Sequence, residues 1–163
     1  MAVVTHAMQS INDIVARCTD RVRESMKQAD RLAGDRRCAN TYPVHVLHAI
    51  ALGKPGVACA VLDRIGIPIQ QHVTELNVLA KSVRQTDNRN VPQHIPIAEI
   101  LIREAKLASD TFGHDYIGTE HLLLGILTAP PNLAADFLTS HGATGAAVRT
   151  SIHAIFGFPN EDG

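Results

Sequence analysis

Aromatic side chains are scarce in this sequence: they make up 4% of its 163 residues, and Trp is absent. The core must therefore be aliphatic. Ala-rich helices that approach one another closely are the natural way to build it, which points to an all-α fold. There is no CxxC pair, and Cys18, Cys38 and Cys59 stand at wide spacings. That excludes the common zinc and redox motifs and leaves buried thiols in a reducing compartment. No apolar run approaches the ~20 residues of a membrane span, and Met1 to Gln9 lacks the basic and apolar regions of a secretory signal. A cytoplasmic protein with no membrane partner is the expectation.

Charge of either sign is not in excess: 19% of the residues are charged and the formal net charge is −1. Nucleic acid is thereby disfavoured, because phosphate binding needs a basic face. The densest cationic cluster, Arg31, Arg36 and Arg37, is interrupted by Asp35 and reads as a solvated helix end. Motifs that carry chemistry are missing too. There is no GxxxxGK[ST] phosphate loop, no Gly-x-Ser-x-Gly elbow and no HExxH, so neither an ATPase, a hydrolase nor a zinc protease is expected, and no cofactor is implied.

What is present is helical periodicity with clear stops. Ile11, Ile14, Val15 and Cys18 follow Ser10 at helical spacing, and Val22, Met26, Ala29 and Ala33 follow Thr19-Asp20. The pattern leaves open one helix or two broken at Thr19. Pro43 suits the first turn of the next helix, Val44 to Leu52. A stripe of Val57, Ala58, Val61, Leu62 and Ile65 then stops at Gly66, and a longer helix runs from Ile69 to Val83. Gln85 to Pro96 is polar and Pro-containing and reads as a linker. Beyond it come helices through Ile97 to Phe112, Gly118 to Leu127, Leu133 to Leu138 and Val148 to Ile155.

The helix through Leu122, Leu123, Leu124, Ile126 and Leu127 is apolar on nearly all sides and should lie at the centre. Thr119 is its expected N-cap, and Glu120 sets a carboxylate at its electropositive end. This helix has a twin. His45 falls on His121, a displacement of 76 positions (121 − 45), and without a gap Leu47 falls on Leu123, Ile50 on Ile126, Pro55 on Pro131, Leu62 on Leu138 and Gly66 on Gly142. Upstream, Ala29 falls on Ala105. Duplication of a four-helix unit accounts for this register.

The stretch Gly113-His114-Asp115-Tyr116-Ile117-Gly118-Thr119-Glu120-His121-Leu122-Leu123-Leu124-Gly125-Ile126-Leu127 resembles the signature of the Clp repeat. That repeat is the tandem N-terminal domain of Clp-type AAA+ unfoldases, especially the ClpA and ClpC branches. The resemblance covers roughly residues 18 to 156. It implies an extension over 1–17, a first repeat over 18–86, a linker over 87–95, a second repeat over 96–158 and a tail over 159–163. The two four-helix units would form a single eight-helix pseudo-twofold bundle. Without a phosphate loop, the chain would be a stand-alone domain. The resemblance further implies a non-catalytic, protein-binding module of regulated proteolysis or protein quality control, with Clp ATPase or protease components, adaptors or substrate proteins as partners.

In ClpC-like members that recognise phosphoarginine, the Glu of the GTEH motif and a Thr opening each copy bind the ligand. Here the second copy keeps Glu120 but has Ile95 at the Thr position, and the first keeps Thr19 but has Val44 at the Glu position. Each half-site lacks a member, and an isopropyl group cannot pair with a guanidinium. Thr19, Asp20, Arg21 and Glu120 are the candidate protein- or peptide-binding residues, and His45, Thr119 and His121 the candidate structural ones.

The histidines supply the alternative. His45 and His48 stand at i, i+3 with Cys38 just upstream, a set from which a metal-binding sensor could be built, although no third ligand has a compelling spacing. A small-ligand sensor using the cleft between the repeats is its non-metal form. The plainer reading of His45 and His121 is that each ring hydrogen-bonds a loop carbonyl and fixes the turn before its helix. Glu120 and His121 are adjacent on a helix and do not face each other, so they make a weak acid/base pair.

Overall fold

The computed structural model describes residues 10–38, 40–86 and 97–156; residues 1–9 of the expected extension, the linker over 87–95, the tail over 159–163 and Ile95 lie outside them. Nine α-helices are formed among the described residues: α1 (Ile11–Val15), α2 (Asp20–Asp35), α3 (Pro43–Leu52), α4 (Val57–Ile65), α5 (Val73–Thr86), α6 (Ile97–Thr111), α7 (Thr119–Thr128), α8 (Leu133–Ser140) and α9 (Gly145–Phe156). A 3₁₀ turn, Ile69–His72, leads into α5. The all-α expectation holds, and the stops read from sequence fall where the helices end.

The question left open at Thr19 is settled as two helices. Ser10 caps α1 through Asn12 N–H, and Thr19 caps α2 through Val22 N–H at 3.3 Å. Between them Cys18 runs parallel to Ile117: Ile117 N–H donates to the Arg17 carbonyl and Thr19 N–H to the Ile117 carbonyl, both at 2.9 Å. The second repeat therefore breaks the helix, by offering backbone partners that a continuous helix would have to forgo. Arg17 adds to the junction with bonds to Ser109 Oγ, the His114 carbonyl and Asp110, the last at 3.0 Å. Burial opposes the ionisation of Asp110, but hydrogen bonds from Lys106 and Arg17 hold its pKa below the usual value.

Equivalent helices occupy equivalent places: α3 and α7 span residues 76 positions apart at both ends (119 − 43, 128 − 52). Gly66 ends α4 at φ 103°, and Gly142 follows α8 at φ 97°, a conformation that costs a residue with a Cβ and costs glycine little. The repeats interlock. Helix α4 packs on α7 and α9, α8 packs on α3, and α1 packs on α6, so each copy's later helices cover the other copy's central one.

Helix α7 lies at the centre, as its sequence requires: residues 119–126 are all buried. Leu122, Leu123, Leu124 and Ile126 each contribute roughly 1.5–3 kcal/mol by leaving water. Gly125 lets α6 come close. A Cβ there would stand 2.9 Å from the Leu101 carbonyl oxygen and 3.0 Å from Ala105 N, too near for either backbone to yield without moving. The corresponding residue in α3 is Ala49, itself buried.

The N-cap assigned to Thr119 is a correction. The helix begins at Thr119, and its N-cap is Gly118, in extended conformation. The Thr119 hydroxyl accepts instead from Ala58 N–H at 3.0 Å, in the first turn of α4, whose own N-cap Gly56 has no side chain to offer. One repeat caps a helix of the other.

Candidate peptide-binding surface

The aligned histidines perform the same task in both repeats. Each stands at the third position of its helix and accepts a hydrogen bond from the N-cap N–H: Tyr42 to His45 Nδ1 at 3.0 Å, Gly118 to His121 Nδ1 at 2.9 Å. The expected bond to a loop carbonyl is replaced by its reverse, with the ring as acceptor. It fills the role that Glu or Gln plays in a capping box. A backbone N–H can only donate, so Nδ1 is bare and the neutral ring carries its proton on Nε2. That Nε2 meets Cys38 Sγ at 3.9 Å in the first repeat and His114 Nδ1 at 2.9 Å in the second. Burial lowers both pKa values to about 4, assisted by Arg36 and His48 around His45 and by His114 and Arg17 around His121.

Glu120 is fully buried. Oε2 accepts from the Tyr116 hydroxyl at 3.0 Å, while Oε1 has no partner. Burial raises its pKa, against the opposing pull of its own backbone N–H and of Tyr116. The carboxylate expected at the mouth of the helix is thus folded back beneath it, against Gly118, where a Cβ would lie only 2.9 Å from Glu120 Cδ. Val44 at the equivalent place in α3 is buried as well.

The other candidates lie at the surface. Thr19 is half-exposed and its hydroxyl is used as a cap. Asp20 is almost fully exposed, 3.7 Å from Arg23. Arg21 lines a groove of about 400 Å³ between α2 and the end of α3, together with Glu24, Lys27, Arg31 and Lys54. Four cations face one carboxylate there. The structure therefore brings neither Thr19 nor Glu120 to the groove that Arg21 lines.

Arg31 belongs to this groove and not merely to a solvated helix end. Arg36 departs further from that expectation. It donates to the Leu32 carbonyl and to Asn77 Oδ1, tying α2 to α5. Arg21, Glu24, Ser25 and Gln28 stand at i, i+3, i+4, i+7, a polar helical stripe that the sequence displays. Lys54 follows α3 in a Gly- and Pro-containing loop, and only the folded chain sets it opposite that stripe.

The second repeat has a recess in the equivalent place, lined by Ile97, Ile100, Ala129 and Pro130 where the first has Arg21, Glu24, Gly53 and Lys54. It is shallow and apolar. A larger apolar recess of about 420 Å³ opens between α1, α2 and α6, lined by Ile11, Val15, Val22, Met26 and Ile102 with Arg23, Lys27 and Glu99 at its edge. Of the alternative metal set, Cys38 Sγ and His45 Nε2 approach to 3.9 Å, but His48 does not complete a group of three with them among the described residues. Two groups of three metal-ligating side chains converge among the described residues, His72 with Glu75 and His141, and His114 with Glu120 and His121.

The profile of the Clp repeat (R) N-terminal domain family matches residues 17–141 and, in a second match, 96–161. The chaperone protein ClpB of Corynebacterium glutamicum is 29% identical over 141 residues, 85% of this chain and 16% of the relative. The chloroplastic ClpC2 of Oryza sativa is 32% identical over 113 residues, 65% of this chain and 11% of the relative. The chain thus spans a small fraction of the chaperones it matches. Among solved structures, the Hsp104 N-terminal domain from Candida albicans aligns with TM-score 0.64 and 18% identity, covering 85% of this chain and 91% of that one. The N-terminal domain of ClpD from Arabidopsis thaliana aligns with TM-score 0.59 and 18% identity over 84% and 95%. With interlocked four-helix repeats, a paired His cap in each and a family match over most of its length, this chain belongs to the Clp repeat N-terminal domain family.

Proposed function

We propose that the chain is a non-catalytic binding module of a Clp-type chaperone or protease system, and that it presents its basic groove to an acidic segment of an adaptor, a substrate or a Clp component. The observation that carries this reading is the groove itself, in which Arg21, Lys27, Arg31 and Lys54 outnumber Glu24. Family membership supplies the system. The groove supplies the sign of the partner's charge, because a concave surface lined by one sign of charge steers and holds the opposite one. Asp20 and Thr19 flank Arg21 in sequence and belong to the rim of this proposal, while Glu120 supports the fold beneath it. A cytoplasmic setting is part of the same reading and suits the buried side chains of Cys18 and Cys59.

The test is a titration of labelled acidic, neutral and basic peptides by fluorescence anisotropy. The acidic peptide is expected to bind and to weaken steeply with salt. Replacing Arg21 and Arg31 together by Glu should abolish binding without changing the melting temperature. Equal affinity for all three peptides would sink the reading. A second reading is favoured by the apolar recess of about 420 Å³, whose volume suits a small apolar ligand. Displacement of an environment-sensitive dye, lost in Met26→Glu, would establish it.

A further inference from the structure

Of the two groups of three metal-ligating side chains, the buried one is excluded as a metal site by its own hydrogen bonds. Gly118 N–H occupies His121 Nδ1, so the proton sits on Nε2, and that proton is shared with His114 Nδ1 at 2.9 Å. An ion on Nε2 would have to displace this proton, leaving an imidazolate in a buried site, and would break the bond to His114.

The other group is arranged the opposite way. His141 Nδ1 lies 2.8 Å from the Phe137 carbonyl, and a carbonyl can only accept, so Nδ1 carries the proton and Nε2 keeps its lone pair. Metal-ligating histidines are commonly oriented in this manner, with the second ring nitrogen donating to a backbone carbonyl. His72 packs edge-on against both Phe137 and His141, at 5.5 and 5.2 Å between ring centroids, which holds its ring beside its partner. Glu75 Oε1 lies 3.2 Å from His72 Nδ1. One donor atom from each of the three lies within 4.8 Å of the other two. Donors sharing a tetrahedral ion at metal–nitrogen distances of about 2.0–2.1 Å stand roughly 3.3 Å apart. A small rotation of the exposed Glu75 and His141 side chains closes that gap.

We propose that His72, Glu75 and His141 form a binding site for a first-row divalent cation such as zinc, with the remaining coordination positions open to solvent. His72 and Glu75 belong to the first repeat and His141 to the second, so the ion fastens the entry of α5 to the end of α8. Two imidazoles and one carboxylate suit zinc and its neighbours, and not calcium or magnesium, which take oxygen ligands.

Protein purified without a His tag and stripped with chelator would be titrated with zinc chloride by calorimetry, and its melting temperature followed with and without the ion. One equivalent is expected, with a rise in melting temperature. His141→Ala and Glu75→Gln alter exposed side chains, and each should weaken binding by about 100-fold or more, beyond the loss typical of an outer-shell change. His114→Ala should leave it unchanged. No zinc binding by the parent protein would overturn the proposal. So would undiminished binding in the double variant H141A/E75Q, or loss in H114A in place of H141A.

Discussion

The two repeats differ most where their central helices begin. In the first, Pro43 and Val44 open α3; in the second, Thr119 and Glu120 open α7. Pro43 has no hydroxyl to lend, and the helix it would have served, α8, is capped by its own Asn132, whose Oδ1 accepts from Ala135 N–H at 2.8 Å. Thr119 has a hydroxyl, and it serves α4, which begins at a glycine. A cap is therefore kept at each of the two places, supplied to α4 by the other repeat and to α8 by its own N-cap residue. At the next position an isopropyl group fills its site without cost, whereas Glu120 is buried with one oxygen unpartnered. The pair teaches that duplicated scaffolds conserve the physical need, here a satisfied helix end, while the residue meeting it can change chain position.

The largest test of this comparison is acid. Both His45 and His121 have folded pKa values of about 4 against 6.5 unperturbed. The unfolded chain therefore binds more protons between those values, so stability is fully present above pH 6.5 and is lost as pH falls toward 4. The loss should be on the order of 2–3 kcal/mol for each ring. Chemical denaturation from pH 7.5 to 4.5 measures it, and His121→Gln should reduce the slope, leaving the part owed to His45, His48 and His114, whose pKa values burial also lowers.

Next is the close contact of α6 and α7. Gly125→Ala should destabilise the protein by about 1–3 kcal/mol, because backbone must move to admit the methyl group. The mirror change Ala49→Gly should cost only about 1 kcal/mol, through chain entropy and a lost methyl contact. Equal costs in urea melts would show that the two helix pairs are equally close.

Glu120→Val makes the second repeat resemble the first and should stabilise it at pH 7.5 by about 1–2 kcal/mol, since a desolvated carboxyl is removed. The sign of its pH dependence checks the cause. Its folded pKa is raised, so the folded state holds the proton more tightly, and the stability associated with Glu120 falls as pH rises through its titration. The variant should therefore gain more at pH 7.5 than at pH 4.5, and a constant gain would refute the cause given.

The smallest effect belongs to the borrowed cap. Thr119→Ala should cost about 1 kcal/mol and Thr119→Ser a few tenths. Hydrogen exchange at Ala58 N–H should quicken in the first and not in the second.

Much of the fold was legible from residues. The gapless alignment of His45 with His121 and of Gly66 with Gly142 carries the duplication, because a 3.6-residue period and a left-handed stop are local demands that leave local marks. The apolar circumference of α7 likewise announced a central helix. The candidate surface was legible only in part. The sequence marks Arg21 by its place near Thr19 and Arg31 only as part of a solvated helix end, and it gives no sign of Lys27 or Lys54, since the groove depends on how a loop after α3 is laid against α2. The capping role of Thr119 was misplaced for the same reason: its partner, Ala58, lies 61 residues earlier in the chain.

Apart from the break at Thr19 and the N-cap of α7, the sequence by itself determined the helices, their ends, the doubling and the family, because helices and their stops rest on interactions among residues a few positions apart. Tertiary structure alone decided which repeat caps which helix, that Glu120 turns inward, that four cations share one groove, and that His72 meets His141. Those are contacts between segments distant in the chain. They are set by the packing that buries the most apolar surface, to which the polar groups then accommodate.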